Sequence, residues 1–299
     1  MKVSVVMAVY NGERFVRSAI DSILSQTFTD FEFLIVNDGS TDGTADILKS
    51  ITDPRVKVFH QDNQGCILAT EKAVGEAKGE YIAIIDADDI ALPERLEKTV
   101  TYLDSHPDTV LVGTGFINSN EDLGVKHIEI PPSNDTELRQ ALLKYDPFKH
   151  PTLLMRADAL RNAGSYKGCP YSDHGHDYEL YSRLAKFGKL ANIPEPLAII
   201  RQHQNQFFRA GHSAEEHRRR VLNIRWRTLF RLRPRFPLFI KTMTWLLFEQ
   251  IVHMIPESIR HMLPSAMRNY FKASLPPKTE SIKILEHDNT GNHTGDHHV

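Results

Sequence analysis

Short apolar runs alternate with amphipathic segments along the first half of the chain. The apolar runs are rich in Val and Ile, and the segments between them have the length and periodicity of helices. The predicted strands are Val3–Val9, Phe33–Asn37, Val56–His60, Tyr81–Ile85 and Val110–Gly113. The predicted helices are Glu13–Gln26, Thr41–Ser50, Cys66–Ala77 and Pro93–Ser105. This alternation predicts an α/β fold with a largely parallel sheet that helices cover on both faces.

Two residues carry helix-start signals. Ser40 is placed to cap the second predicted helix, and Pro93 stands where the first turn of the fourth accepts a proline.

The middle of the chain, from residue 116 to residue 206, is less regular. A Pro-rich loop leads into a predicted helix at Thr136–Lys144, and a second helix is predicted at Tyr178–Phe187, closed by Gly188. From Ala210 to Ala273 the pattern is helical, basic and apolar, whereas the tail from Pro276 is polar and predicted to be disordered.

These patterns divide the chain into three parts. We expect one folded domain at residues 1–205, with a regular part at 1–115 and a less regular part at 116–205. A basic helical segment at 206–275 and a tail at 276–299 would follow it.

Composition and charge narrow the class of protein. The chain has 299 residues, 41% of them hydrophobic and 25% charged, which is typical of a globular protein with a sizeable core. A net charge of −2 conceals an excess of ten positive charges between Arg201 and Lys272, so the rest of the chain is acidic. The basic part carries no recognisable nucleic-acid motif, and we expect no nucleic-acid partner.

Cysteine content and the lack of targeting segments indicate the cellular compartment. The two cysteines, Cys66 and Cys169, are too few for a disulfide framework and indicate a reducing compartment. Residues 1–6 lack the features of a signal peptide, and no run of about 20 apolar residues occurs in the sequence. We therefore expect a cytoplasmic location.

Polar side chains follow three of the predicted strands. They stand in the stretches Ala8–Gly12, Asn37–Ser40 and Asp86–Asp89. In sheets of this kind ligands bind beyond the carboxyl ends of the strands. The Tyr10 ring offers a face on which a base can stack, and the Asp38 carboxylate can accept a hydrogen bond from a ring N–H such as that of uracil.

Asp86 and Asp88 are the strongest candidates for chemistry. Residues two apart in an extended strand point to the same side, so both carboxylates could converge on one divalent cation. The alternative is a solvated acidic turn before the helix at Pro93. The polar ends of two other strands alongside favour the cation site.

Several stretches together resemble the family 2 glycosyltransferases. The first three are Ser4–Gly12, Phe33–Thr44 (FLIVNDGSTDGT) and Gly79–Leu96 (GEYIAIIDADDIALPERL). His150–Arg156, Asp177–Leu180 and Asn192–Arg201 follow in the order that the family has. The resemblance covers about residues 1 to 205 and implies a GT-A fold with a mixed sheet, in which a Rossmann-like nucleotide-binding half at 1–115 precedes an acceptor half at 116–205. It also implies a nucleotide-sugar donor and inversion at the anomeric carbon.

The resemblance also implies roles for residues of the nucleotide-binding half. It places Ala8, Tyr10 and Glu13 near the nucleotide. Asp38 would face the base, and Asp86 the ribose and diphosphate.

Three further residues receive roles in the chemistry. Asp88 would be the principal ligand of Mn²⁺ or Mg²⁺, and His203 would lie near the diphosphate or the metal. Asp177 matches the catalytic base, which takes the proton of the acceptor hydroxyl.

The sequence departs from the family pattern in two places. His176 stands where a glutamate is common, within a cluster that also holds Asp173, His174 and Asp177. That cluster could be a separate metal site or, as we favour, a polar acceptor loop. The segment Ala69–Lys72 lacks the residue pair usual there, so a donor contact from it is not expected.

His150 also has two interpretations. It could be an acceptor-site residue, as its motif implies, or a structural histidine before Pro151.

The basic segment at residues 210–273 has an amphipathic start. One side is expected to carry Val221, Leu222, Trp226, Leu229 and Phe230, and the other side Arg220, Arg227 and Arg231, with Arg225 intruding on the apolar side. Such a helix is typical of peripheral membrane contact. The alternatives are packing on the catalytic domain or on a second subunit of a homo-oligomer.

The sequence thus predicts a metal-dependent, inverting glycosyltransferase that uses a UDP-sugar. Its acceptor would be a saccharide or a lipid-linked saccharide in cell-surface polysaccharide or glycolipid synthesis. A nucleotidyltransferase is an alternative, although residues 10–14 lack its Gly-rich basic signature. A catalytically silent, nucleotide-binding membrane scaffold is a second alternative, which would not need Asp38, Asp86, Asp88 and Asp177 together.

Overall fold

The computed structural model describes residues 1–170, 175–203 and 214–253. The strands are β1 (Val3–Val9), β2 (Phe31–Asp38), β3 (Val56–Gln61), β4 (Tyr81–Ile84), β5 (Ile90–Ala91), β6 (Thr109–Ser119), β7 (Val125–Glu129), β8 (Leu154–Arg156) and β9 (Lys189–Arg201). The α-helices are α1 (Val16–Leu24), α2 (Thr44–Lys49), α3 (Cys66–Glu76), α4 (Arg95–Ser105), α5 (Asp135–Leu142), α6 (Ala157–Asn162), α7 (His176–Leu184), α8 (Ala214–Leu232) and α9 (Phe236–His253). Short 3₁₀ turns lie at His150–Thr152 and Tyr166–Gly168.

All of these strands join one mixed sheet. Its order is β3-β2-β1-β4-β8-β6-β9-β5, with β7 beside β6. Strands β1 to β4 are parallel, and β8 runs antiparallel between β4 and β6, which itself pairs in parallel with β9. The prediction of an α/β fold is confirmed. The mixed sheet that the GT-A resemblance implies is confirmed as well, because β1 to β4 from the first half of the chain are parallel, whereas β7 and β8 from the second half pair in antiparallel fashion.

Apolar side chains cover both faces of the sheet. Along β1, Val3, Val5 and Met7 belong to one buried cluster and Val6 to the other, as the alternation of side chains in a strand requires. Helices α1 and α4 contribute Ile20 and Leu96 to the first cluster. The two-sided burial explains why these strands are continuous apolar runs rather than alternating ones.

Helix α2 begins three residues later than predicted, and Ser40 does not cap it. Gly43 stands at its N-cap without a side-chain hydrogen bond. The Ser40 hydroxyl instead accepts the backbone N–H of Asn11 at 3.0 Å, and Asn11 in turn accepts the N–H of Thr41 through Oδ1 at 2.8 Å. These contacts between the loops after β1 and β2 compete with the local cap. Helix α4 likewise starts at Arg95, so Pro93 precedes the helix.

The C-terminal helices α8 and α9 pack on the rest of the protein. Leu222 and Leu229 of α8 meet Leu246 of α9 and Leu143, next to α5, in a small apolar cluster. The apolar side of α8 therefore packs on the rest of the protein, which was one of the two alternatives to membrane contact. No helix among the described residues is both long and apolar enough to cross a bilayer.

Two side chains of α8 lie differently from the predicted pattern, and a third lies as predicted. Arg225 was predicted on the apolar side, and there it is buried and pairs with Glu249 of α9 through two contacts of 2.9 Å. Arg231, predicted on the opposite side, pairs with the buried Glu179 of α7 at 2.8 Å. Phe230, predicted on the apolar side, is 56% exposed. The prediction placed these residues by helical period alone, whereas the buried Glu179 on a distant helix decides where Arg231 lies.

Removing one partner of the Arg225–Glu249 pair should destabilise the protein. In Arg225→Met the buried Glu249 carboxylate loses its partner, and we expect the free energy of unfolding to fall by about 3 kcal/mol. The double variant Arg225→Met/Glu249→Leu removes both charges and should be more stable than that single variant. Denaturant unfolding measures the cycle. If the two substitutions lowered the free energy of unfolding additively, Arg225 and Glu249 would not stabilise each other as a buried ion pair.

Candidate active site

Three carboxylates meet directly after β4. Oxygens of Asp86, Asp88 and Asp89 all lie within 4.8 Å of one another. The predicted convergence of Asp86 and Asp88 is found, but its geometric reason differs. Strand β4 ends at Ile84, and a turn closed by the Asp89 N–H on the Asp86 carbonyl, at 3.2 Å, gathers the three side chains. We call Asp86, Asp88 and Asp89 the acidic cluster.

The carboxylates of the acidic cluster repel one another. Burial, followed by the charge of Asp88, raises the pKa of Asp86 to about 7 and raises that of Asp89 well above its ordinary value. A divalent cation would relieve this repulsion. Among the described residues this is the one group of three or more Asp, Glu, His or Cys side chains close enough to hold a metal ion. Its oxygen-rich donors fit Mg²⁺ or Mn²⁺.

The end of β9 lies against the acidic cluster. His203 Nε2 is 2.8 Å from Asp88 Oδ2, so this histidine could complete a metal site together with Asp88. The His203 ring also packs against Phe15, with centroids 4.9 Å apart. Arg201 donates its backbone N–H to Asp89 Oδ1 and its Nε–H to the Asp88 carbonyl, at 2.9 and 2.8 Å. These contacts fix the turn that carries the cluster.

Arg95 supports the same turn from behind. This arginine is only 1% exposed, and its Nη1 donates to the carbonyl of Ile84 at 2.9 Å and to that of Pro151. Although burial lowers its own pKa, the charges of Asp86 and Asp89 counteract that effect, which places the guanidinium within electrostatic reach of both carboxylates. Arg95 thus ties the end of β4 to the segment that carries His150.

The predicted nucleotide-binding residues lie along the ends of β1 and β2. Ala8 is half-buried in β1, and the Tyr10 ring, just beyond that strand, is 51% exposed and open to stacking. Glu13 lies at the same end, but its Oε2 accepts the backbone N–H of Gly43 at 2.7 Å. Its carboxylate therefore ties the start of α1 to the start of α2.

Asp38 is buried at the end of β2 and is already hydrogen-bonded. Its Oδ1 accepts from the Gln61 side chain and the Gln64 backbone, at 2.7 and 2.9 Å, and its Oδ2 accepts the Gly65 N–H at 2.8 Å. This carboxylate closes the loop before α3. Its contact with a base stays a prediction.

Asp177 is the second residue of α7. Gly175, at φ 79°, sets the start of this helix, and a Cβ there would come within 2.9 Å of Ile224 on α8. Burial would raise the pKa of Asp177, but the charges of His176 and His150 hold it below its ordinary value. The carboxylate is therefore ionised at neutral pH, as a proton acceptor must be. Its charge also raises the pKa of Asp86, which places both groups in one electrostatic environment.

His150 lies in an aromatic group beside Asp177. Its Nδ1 is 2.8 Å from the Tyr181 hydroxyl and its Nε2 is 3.3 Å from the Tyr166 hydroxyl. The His176 ring lies 6.1 Å away, between centroids. With both ring nitrogens engaged, the geometry favours the structural interpretation of His150. Asp173 and His174 lie outside the described residues, so both interpretations of that cluster, the polar acceptor loop and the separate metal site, stay predictions.

The departure at Ala69–Lys72 also has a structural explanation. Glu71 Oε2 accepts from the Ser165 hydroxyl and the Tyr166 N–H, at 2.6 and 3.0 Å. This segment thus supports the loop that leads toward α7. Cys66 and Cys169 are both half-buried and are not joined in a disulfide.

Sequence reasoning did not identify three residues that shape the site. Asp89 stood in the acidic stretch after β4 and Arg201 ended a family motif, so both carried a signal. Arg95 carried none, because an arginine in the first turn of an amphipathic helix is typical of an exposed position. Its burial depends on the Ile84 and Pro151 carbonyls, which only the folded chain brings together.

Comparisons of the sequence with known proteins agree with one another. The family model for glycosyl transferase family 2 matches residues 4–164. An uncharacterized glycosyltransferase of Haemophilus influenzae is 35% identical over 68% of this chain and 66% of its own length. The putative glycosyltransferase EpsE of Bacillus subtilis is 35% identical over 70% of this chain and 76% of its own length. The O-antigen biosynthesis glycosyltransferase WbnJ of Escherichia coli is 36% identical over 61% of this chain and 71% of its own length.

Solved structures share the fold at low sequence identity. TarS 1-349 of S. aureus in complex with UDP-GlcNAc superposes with a TM-score of 0.69 at 17% identity, covering 92% of this chain and 80% of that one. The mannosyltransferase PcManGT of Pyrobaculum calidifontis, in complex with GDP-Man and Mn²⁺, gives a TM-score of 0.58 at 18% identity, covering 92% and 80%. These likenesses concern the fold, which is that of the GT-A glycosyltransferases, as predicted.

Proposed function

Because this chain belongs to glycosyl transferase family 2, we propose that it moves a sugar from UDP to a hydroxyl of a saccharide or lipid-linked acceptor, with inversion at the anomeric carbon. The observation that carries the proposal is the acidic cluster at the end of β4, with the ionised Asp177 in the same electrostatic environment. The acidic cluster is suited to binding a cation together with a diphosphate, and Asp177 is suited to accepting a proton.

The choice of donor rests on structural relatives. TarS 1-349 was solved with UDP-GlcNAc and PcManGT with GDP-Man and Mn²⁺. A nucleotide sugar is common to both, and the greater likeness to TarS favours UDP. Tyr10, exposed beside Ala8, offers the stacking face for the base, and Asp38 the acceptor for a ring N–H.

The acidic cluster and His203 would hold the divalent cation, Mn²⁺ or Mg²⁺. When bound, that ion neutralises the charge that develops on the departing diphosphate. Asp177 takes the proton of the attacking hydroxyl, which typically contributes about 10²–10⁴-fold to the rate. Attack on the face opposite the diphosphate breaks the glycosidic bond to the nucleotide in a single step and inverts the anomeric centre.

The division of the chain follows from this assignment. Residues 1–205 would carry donor and acceptor sites, and the helices beyond them would pack against the base-bearing helix α7. WbnJ is named for O-antigen biosynthesis and AmsE of Erwinia amylovora for amylovoran biosynthesis. By analogy we place the protein in cell-surface polysaccharide or glycolipid synthesis, on the cytoplasmic side.

Purified protein incubated with a panel of nucleotide sugars and Mn²⁺ or Mg²⁺ tests this proposal. We expect slow hydrolysis of one UDP-sugar, because water can replace the missing acceptor, and we expect EDTA to abolish it. A thermal-shift screen of the same panel should identify the same donor. The proposal is wrong if no nucleoside diphosphate binds.

The two alternative functions give different outcomes in that assay. A nucleotidyltransferase would release pyrophosphate from a nucleoside triphosphate and a sugar phosphate. A silent scaffold would bind nucleotide without turnover.

A further inference from the structure

Helix α9 exposes an apolar stripe to solvent. Phe236, Ile240, Thr244, Leu247 and Ile251 follow one another at intervals of three or four residues, so they share one side of the helix. All five are exposed, with Phe236 at 76% and Ile251 at 61%. The hydroxyl of Thr244 is satisfied by the Ile240 carbonyl at 2.9 Å. We call these five residues the α9 stripe.

The opposite side of α9 already fills the interior. Thr242, Leu246 and Glu249 are buried against α8. A helix at the surface of a globular protein normally has one apolar side and one polar side. Because α9 has a second apolar side that is exposed to solvent, the α9 stripe has the character of a binding surface.

Among the residues that the structure describes, the exposed charges of the α9 segment are positive. Arg233, Arg235 and Lys241 are exposed just before and alongside it. The acidic side chain of α9, Glu249, is buried and paired with Arg225. A second copy of the chain would bring like charges together, whereas an anionic surface would complement them.

We propose that the α9 stripe docks in the headgroup region of an anionic membrane, with Arg235 and Lys241 facing the lipid phosphates. Amphipathic helices with basic flanks and large apolar side chains lie in this way at membrane interfaces. The sequence prediction placed the membrane contact on the apolar side of α8. That side is packed on the protein, and the contact moves to α9.

The docked orientation would serve the proposed acceptor. Helix α9 packs on α8 through the Arg225–Glu249 pair, and α8 packs on α7 through Ile224 at Gly175 and Arg231 at Glu179. Asp177 lies at the start of α7. A continuous series of contacts, from α9 through α8 to α7, thus connects the docked surface with the proposed base. This last step rests on the proposed function, whereas the docking itself does not.

Vesicle co-sedimentation of the full chain tests the docking, without donor or acceptor. We expect binding to vesicles of phosphatidylcholine with phosphatidylglycerol, and at least about tenfold weaker binding to phosphatidylcholine alone. The variant Phe236→Ser/Leu247→Gln/Ile251→Gln should lose at least about tenfold in affinity for the anionic vesicles. Arg235→Gln/Lys241→Gln should weaken binding to them and reduce its salt dependence.

A matched control separates docking from general hydrophobicity. Val125 on β7 is also exposed, and Val125→Gln should bind as the unaltered protein does. All variants should keep their melting temperature and their donor hydrolysis in solution. Docking on lipid is refuted if the unaltered chain does not bind anionic vesicles, if the α9 stripe variant binds them equally well, or if that variant only dissociates a dimer. Donor hydrolysis by the same samples reports separately on the proposed function.

Discussion

Asp177→Asn should lower the rate of sugar transfer by about 10³-fold while leaving the affinity for donor unchanged. The amide is isosteric with the carboxylate but cannot take the proton of the acceptor hydroxyl. The fold should tolerate it, because Asp177 Oδ1 accepts the Tyr178 N–H at 3.0 Å, and an asparagine oxygen accepts it equally well. Transfer is measured with the identified donor and acceptor, and donor binding by calorimetry.

A matched substitution elsewhere controls for that experiment. Asp158 is exposed in the first turn of α6, and Asp158→Asn makes the same chemical change far from the proposed chemistry. It should transfer at the unaltered rate. If Asp177→Asn does so too, Asp177 is not the base.

Asp88→Asn should abolish metal-dependent activity, with a loss of about 10³-fold or more. Asp88 belongs to the acidic cluster, and its Oδ2 lies 2.8 Å from His203 Nε2. Asp88 therefore links the other two carboxylates with His203, and removing its charge removes the metal ligand that joins them. The affinity for Mn²⁺, measured by electron paramagnetic resonance in the presence of UDP, should fall in parallel. Folding should be unaffected, because the Arg201 contact to residue 88 uses the backbone carbonyl.

Asp46→Asn is the corresponding control, since Asp46 is exposed on α2. Normal Mn²⁺ affinity in Asp88→Asn would show that the cation binds elsewhere. Loss of activity with normal Mn²⁺ affinity would point to a role in donor binding instead.

The first half of the chain was largely predictable because its determinants are local. Strand β1 matches its prediction at both ends, and β2 to β4 match within two residues. Their continuous apolar runs identify buried parallel strands, whose carboxyl ends lie at one edge of the sheet. Asp86 and Asp88 stand two residues apart just after β4, so the sequence could place both at that edge, although a turn rather than the strand brings their carboxylates together.

The remaining features depend on contacts between distant parts of the chain. Arg225 interrupts an apolar side in the sequence, yet its partner Glu249 lies on the next helix and allows its burial. Ser40 has the signature of a cap but pairs with Asn11, from the neighbouring loop. Arg95 is buried by two carbonyls, one of them 56 residues away. The periodicity of a sequence does not reveal partners from distant parts of the chain. The environment of these side chains was therefore predicted less well than the fold.

A crystal grown with UDP and Mn²⁺ tests the central claim most directly, through the anomalous scattering of manganese. We predict one anomalous peak between Asp88 and the UDP diphosphate, at metal–oxygen distances of roughly 2.0–2.4 Å. UDP bound in the cleft without a manganese peak at the acidic cluster, or with the peak elsewhere, would contradict it.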